Sequence, residues 1–292
     1  MFFWHILEVV FPLVAVVSVG VWAGRRHQPE MDVANRLNMD YFVPALVFGV
    51  LVGGDFRIAQ FARLGLGTFL LIAGIGVVAL IAARVLRVLP KTIVPPMMFN
   101  NCGNLGLPLA LLAFGKEGMP AAVVMFLISN LLHFSFGAWL LDHKARLRDL
   151  WKVPVLVATV LGLGLNLAGI QLWAPLMTAI RMLGDISVPL MMFALGVRLA
   201  DMTLAESRLG LSIAVLRPVS GMAVAYAVGW CLSLTANQNA QLILFGALPP
   251  AVLNYIFAER YSQEPEKVAS IVLIGNVAAL LFVPLALIFV LH

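Results

Sequence analysis

The stretch Pro95-Pro96-Met97-Met98-Phe99-Asn100-Asn101-Cys102-Gly103-Asn104-Leu105-Gly106-Leu107-Pro108 decides how this chain folds. It falls in an apolar run, 92 to 114, long enough to cross a bilayer, yet many of its residues oppose a continuous helix. Proline removes a backbone donor and clashes with the preceding turn, glycine lowers helix propensity, and asparagines in hydrocarbon need hydrogen-bond partners. A helix broken at membrane depth exposes backbone polar groups, which is tolerated only where protein buries them or a watery cavity receives them. Pro95, Pro96, Gly103, Gly106 and Pro108 are therefore read as helix-breaking residues, and Asn100, Asn101 and Asn104 as polar groups of a site. A second stretch, Pro249-Pro250-Ala251-Val252-Leu253-Asn254-Tyr255, repeats the pattern, with Pro249, Pro250 and Asn254 at an offset of 154 from Pro95, Pro96 and Asn100.

The repetition extends beyond the two breaks. Pro12 recurs as Pro154, Val43-Pro44 as Val188-Pro189, Arg63-Leu64-Gly65-Leu66 as Arg208-Leu209-Gly210-Leu211, and Leu127-Ile128 with Asn130 as Leu273-Ile274 with Asn276. The offsets are 142, 145, 145 and 146, close to half the chain. Apolar runs lie at 3 to 23, 37 to 54, 62 to 88, 92 to 114 and 120 to 141, then at 153 to 170, 177 to 199, 208 to 234, 241 to 260 and 268 to 291. Five spans per repeat, an odd number, force the second copy to be inverted relative to the first. The expected fold is an all-α membrane protein of ten helices: inverted repeats over about 1 to 144 and 148 to 292 of one transport domain, with helices four and nine broken and crossing. Inverted repeats with interrupted helices that meet at the bilayer midplane are characteristic of secondary transporters.

Composition agrees with a membrane protein. The 292 residues are 62% hydrophobic and 11% charged, with a mean hydropathy of +1.00. A net charge of +5 raises the question of nucleic acid, but the cations sit in short loops between apolar runs and so set topology instead. Fourteen Lys and Arg fall on one side and four (Arg57, Arg63, Lys116, Arg181) on the other, with Arg217 inside a span. Basic residues are retained on the cytoplasmic side, so both termini are expected outside the cytoplasm and the basic loop from Asp142 to Lys152 inside it. The first span, with Arg25 and Arg26 behind it and no small-residue cleavage site, is read as retained. Cys102 and Cys231 offer neither a disulfide framework nor a metal-ligand spacing.

Three motifs carry a resemblance to a family: Asn-x-x-Asn-x-Gly-x-Pro from Asn101 to Pro108, Val-Pro-Ala-Leu-Val-Phe from Val43, and Leu-Pro-Pro-Ala from Leu248, followed by Ala258, Tyr261 and a charged turn. Over essentially its whole length the chain resembles the auxin efflux carrier family, which has many bacterial members. The resemblance implies a crossover of helices four and nine like that of sodium/proton antiporters and bile acid symporters. It also implies a scaffold of spans 1, 2, 6 and 7, often dimeric, a transport unit of spans 3 to 5 and 8 to 10, and residence in the inner (cytoplasmic) membrane. Plant members carry a long cytoplasmic insert between spans five and six; here that loop has about ten residues, so regulation through it is not carried over.

Intramembrane ionisable groups are costly and mark candidate function. Arg217, beside Pro218, is placed either on a substrate carboxylate or on a helix end. His133 is either a proton carrier or a core residue, Glu259 either a coupling group or half of a solvated pair with Arg260, and Asn130 and Asn276 either support the site or bridge helices. The substrate-binding set expected is Asn100, Asn101, Asn104, Asn254, Tyr255 and Arg217. The preferred reading is a secondary carrier of a small organic anion, auxin-like or a dicarboxylate, with no cofactor or metal and with a proton or sodium gradient as the open alternatives for coupling. A channel or non-transporting sensor on the same fold is the alternative. An enzyme is disfavoured: no His-Glu-x-x-His, paired acids or activated nucleophile stands within the spans.

Overall fold

A computed structural model describes residues 2 to 53, 57 to 142, 153 to 200 and 207 to 290, the first five of them and Ile58 and Ser207 by backbone alone. Most of the basic connecting loop, 143 to 152, lies outside the described residues. The chain is an all-α membrane protein. Its helices are α1 (Phe2–His27), α2 (Asp32–Leu37), α3 (Val43–Val52), α4 (Ile58–Leu86), α5 (Pro90–Met98), α6 (Leu107–Leu132), α7 (Ala138–Leu141), α8 (Pro154–Leu167), α9 (Ala174–Ala200), α10 (Ser207–Cys231), α11 (Ala236–Ala247), α12 (Leu253–Arg260) and α13 (Pro265–Val290). Wider π turns at Asn38–Phe42, Cys102–Gly106 and His133–Gly137 join α2 to α3 and flank α6.

Among the described residues six segments are long and apolar enough to span a bilayer: Leu7–His27, Ala59–Leu86, Cys102–Leu141, Ala174–Ala200, Arg208–Cys231 and Pro265–Val290. The other expected spans consist of shorter pieces, such as the 10-residue α3 and the 14-residue α8. The 40-residue run from Cys102 to Leu141 is not one helix. Gly115, with φ 64° and ψ −167°, breaks α6 into 107 to 114 and 116 to 132, a backbone conformation glycine adopts without steric cost.

Helix α4 shows why hydrocarbon, not water, surrounds the chain. Its buried positions, Leu64, Thr68, Leu71, Ile75, Ala79 and Ala82, follow the helical repeat. Its outward positions are equally apolar, with Leu66, Phe69, Val77, Ile81 and Val85 all exposed. A soluble helix would carry charge there.

The fold divides into two compact units. The first comprises Met1–Phe61, Gly103–Leu127 and Leu147–Asp201. Within it α1 packs on α9 and α3 on both α8 and α9. Small residues allow the backbones to touch, since a Cβ on Gly196 would lie 2.1 Å from Val17 O. The second unit comprises Ala62–Cys102, Ile128–Arg146 and Met202–His292. There α10 packs on α11 and α13, and α13 on α5, α11 and α12.

Candidate substrate site at two helix breaks

Both breaks lie in the second unit. Helix α5 runs through Pro95 and Pro96 and stops at Phe99, whose φ of −103° and ψ of 107° are extended. Helix α11 stops before Leu248, also extended, and α12 begins at Leu253. Between these ends the two stretches pair antiparallel at Asn100 and Pro250, with Asn101 N donating to Pro249 O at 2.8 Å and Ala251 N to Phe99 O at 3.0 Å. The paired backbone satisfies part of what the missing helix leaves open.

Side chains satisfy much of the rest. Asn100 Nδ2 donates to Phe245 O at 2.7 Å, and Asn254 Nδ2 donates to Phe99 O and to Ala251 O, each at 2.9 Å. Arg217, 1% exposed, reaches from α10 and donates Nη1 to Gly246 O at 2.8 Å. From α13, Asn276 Nδ2 donates to Pro250 O at 3.0 Å and Val272 O at 2.8 Å, while Asn276 Oδ1 accepts from Asn101 Nδ2 at 3.0 Å. Arg217 reaches the end of α11 because Gly221, one turn further along α10, lies against it. A Cβ on Gly221 would come within 2.0 Å of Gly246 O.

Five carbonyls at the crossover (Phe99, Phe245, Gly246, Pro249 and Pro250) thus accept hydrogen bonds from the protein. Helix C-termini carry partial negative charge and N-termini partial positive charge. At this crossover donors, one of them a guanidinium, cover the negative end of α11, while α12, beginning at Leu253, has no side-chain cap at Val252 and its Asn254 and Tyr255 N–H groups donate to Ala251 O and Val252 O.

His133 lies directly beside the break. Its ring stacks on Phe99 at 4.2 Å with an interplanar angle of 7° and meets Phe257 edge-on at 5.2 Å. Among the described residues, Asn100 Oδ1 and Arg217 Nε are buried without a hydrogen-bond partner, while the His133 ring and the Asn254 amide face each other.

Of the expected residues, the structure brings together Asn100, Asn101, Asn254, Asn276, Arg217 and His133. Asn130 donates to Cys102 Sγ at 4.0 Å. Asn104, with Gly103 and Gly106, lies in the π turn Cys102–Gly106, half-buried and in the segment assigned to the first unit. Pro108 is the second residue of α6, which continues directly from the π turn, so its missing N–H leaves a carbonyl of that turn without a helical donor. The Tyr255 hydroxyl donates to Glu259 Oε1 at 3.4 Å, on the exposed side of α12. Pro249 and Pro250 sit in the second break itself, whereas Pro95 and Pro96 sit inside α5, ahead of the first.

Sequence reasoning passed over a polar cluster at the start of α5 and α13. Thr92 Oγ1 donates to Glu264 Oε2, Lys267 Nζ pairs with Glu264 Oε1 at 2.5 Å, and Lys91 Nζ donates to Leu141 O at 3.0 Å. Hydrogen bonds from Lys267 and Thr92 hold the Glu264 carboxyl below its ordinary range. The available signal was Glu264 immediately before Pro265 and a long apolar run, a helix-start pattern.

Comparison with known proteins identifies the family of the chain. A protein of Methanocaldococcus jannaschii described as an uncharacterized transporter is 22% identical over 300 residues, covering 96% of this chain and 97% of the relative. Auxin efflux carrier component 8 of Arabidopsis thaliana is 29% identical over 105 residues, covering 35% of this chain and 29% of the plant protein. The family described as membrane transport protein matches residues 139–287, just over half of the sequence and inclusive of the second break, Arg217 and Asn276. The chain therefore belongs to the auxin efflux carrier family of membrane transport proteins.

Proposed function

We propose that this transporter carries a small organic anion across the cytoplasmic membrane by alternating access, with the anion held at the crossover of the two helix breaks. The observation that carries this reading is the balance of charge at the crossover. Asn100, Asn254 and Arg217 spend donors on the carbonyls that would otherwise attract a cation, and the N-terminus of α12 is left without a side-chain cap. Arg217 Nε, buried and without a partner among the described residues, is a donor suited to a carboxylate. The partial match to an auxin efflux carrier supports a carboxylate as the ligand class.

The reading includes ten spans in two inverted repeats, both termini outside the cytoplasm, and a transport unit built on spans 3 to 5 and 8 to 10. The broken runs match across an offset of 154, and fourteen cations face four across the membrane. The test is a flux screen in proteoliposomes holding the purified chain, run over mono- and dicarboxylates with imposed proton and sodium gradients. Saturable uptake with counterflow of at least one carboxylate is expected. Flux that never saturates and shows no counterflow identifies a channel, and absence of flux for every anion, with the protein shown to be folded, removes the carrier reading.

A further inference from the structure

We propose that His133 is a positioning residue that clamps the two helix breaks to each other, and that it does so as a neutral imidazole with its proton on Nε2. The inference goes beyond the organic-anion reading and does not require it. His133 heads the π turn His133–Gly137, and such turns recur at functional positions inside helices. Its ring stacks on Phe99, the residue at which α5 stops. Gly137 makes the room for that stack. A Cβ there would lie 2.7 Å from Phe99 Cε2 and 3.0 Å from His133 Cδ2, so any larger residue would press the two rings apart. Phe257 of α12 meets the imidazole edge-on, and Phe134 lies tilted to it at 6.3 Å.

The orientation of Asn254 selects the tautomer. Its Nδ2 donates to Phe99 O and Ala251 O, so flipping the amide would set an oxygen against both carbonyls. The atom left to face His133 is Oδ1, an acceptor, which only a ring N–H can satisfy. His133 Nε2 and Asn254 Oδ1 are both buried, and neither has another partner among the described residues. One side chain thus holds the first break through the face of its ring and the second through its edge. Asn254, held in this way, covers the carbonyl of the same Phe99 on which His133 stacks. A second proton on the ring would be costly. The groups set against it among the described residues are Phe99, Phe134, Phe257, Gly137 and the Asn254 amide, and none is acidic. A buried charge without a counter-charge is strongly unfavourable, so this imidazole keeps the shape of the crossover and does not carry protons through it.

The experiment uses the full chain in lipid nanodiscs, with its histidines isotopically labelled at nitrogen for NMR. Spectra are recorded at about pH 6, where a solvated imidazole is largely protonated. Signals of His133 are assigned by their loss in His133→Phe or, where that variant does not fold, in His133→Gln. A neutral ring with its proton on Nε2 is expected; an imidazolium, or a proton on Nδ1, overturns the proposal. The clamp itself is read by hydrogen exchange at Asn101 and Ala251, whose N–H groups pair the two breaks. His133→Phe keeps the stack and removes the donor, so exchange at both amides should rise roughly 2- to 10-fold, the effect of losing one neutral hydrogen bond. In an Asn254→Ala background, where the acceptor is already gone, the same substitution should change little. Unchanged or slower exchange in His133→Phe overturns the clamp, and so does an equal rise in both backgrounds. If either variant fails to fold, the ring spectrum of the wild type decides alone.

Discussion

In the first break Pro95 and Pro96 lie inside α5, and the helix stops only at Phe99; in the second, Pro249 and Pro250 lie beyond the end of α11 and form the link itself. Prolines inside α5 deprive the carbonyls of Lys91 and Thr92 of their helical donors and loosen the helix before it ends. Prolines past α11 cost nothing, because the helix has already stopped. The two breaks nevertheless serve each other. Asn100 of the first covers Phe245 O at the end of α11, and Asn254 of the second covers Phe99 O at the end of α5. The exchange is symmetric, but its surroundings are not. At the repeat offset of 145, Arg217 corresponds to Ile72, and at 146 Asn276 corresponds to Asn130. Arg217 and Asn276 both bond to the second break, while Ile72 is apolar and Asn130 donates to a cysteine sulfur. The repeated asparagines form reciprocal caps, whereas Arg217 places a guanidinium at the end of α11 where the matching position of the first half is Ile72.

The sharpest way to break this comparison uses Gly221 and its repeat counterpart Gly76. A Cβ on Gly221 would press to 2.0 Å on the backbone oxygen of Gly246, whereas one on Gly76 would meet the flexible side chain of Met98 at 3.0 Å. Gly221→Ala is therefore expected to cost at least about 1 to 3 kcal/mol and to abolish transport, with Gly76→Ala nearly neutral. Melting curves of the two variants in nanodiscs decide, and equal losses would show that the close contact of α10 with α11 is not special.

Arg217 comes next in size. Hydrogen bonds to charged groups contribute about 1.5 to 3 kcal/mol, so if the guanidinium also engages the substrate, Arg217→Gln weakens apparent affinity by roughly 10- to 150-fold. An unchanged affinity with a lowered melting temperature would assign Arg217 to the end of α11 alone. Among the asparagines, Asn276→Ala removes three neutral bonds, each of about 0.5 to 1.5 kcal/mol. Asn130→Ala should be milder, and a larger loss at Asn130 would contradict the asymmetry.

Two smaller effects sharpen the contrast between the proline pairs and between the ends of α5. Pro95→Ala restores a donor to the Lys91 carbonyl and should stabilise by about 0.5 to 1.5 kcal/mol. Pro249→Ala should instead destabilise by about 0.4 to 1 kcal/mol, through a freer unfolded chain. The smallest effect is a pH dependence. Because the folded Glu264 carboxyl is held below its ordinary value of 4.5, its contribution is complete above that pH and disappears as pH falls through the depressed value. Wild type should lose more melting temperature on acidification than Glu264→Gln, and parallel curves would remove Glu264 from the account.

Much of this was legible before any coordinates. The paired prolines with Asn100 and Asn254 located both interruptions, because proline and glycine act on their own backbone and need no distant partner. The boundaries were less legible: α5 continues through Pro95-Pro96 to Met98, since a short helix packed against α13 tolerates lost donors that composition alone counts against it. Asn276 reads as either a support of the site or a bridge between helices and His133 as either a proton carrier or a core residue, and their positions beside Pro250 and Phe99 emerge only in three dimensions. Thr92 and Glu264, 172 residues apart, gave no joint signal at all.

The sequence by itself determined the membrane environment and the places where two helices stop, both set by local composition and spacing. Tertiary structure alone decided which carbonyl each asparagine covers and that Arg217 sits on the end of α11. The reason is physical: the hydrogen bonds that link these elements join residues 26 to 175 positions apart, and a donor's partner across such a distance depends on how helices pack, not on what stands beside it in the chain.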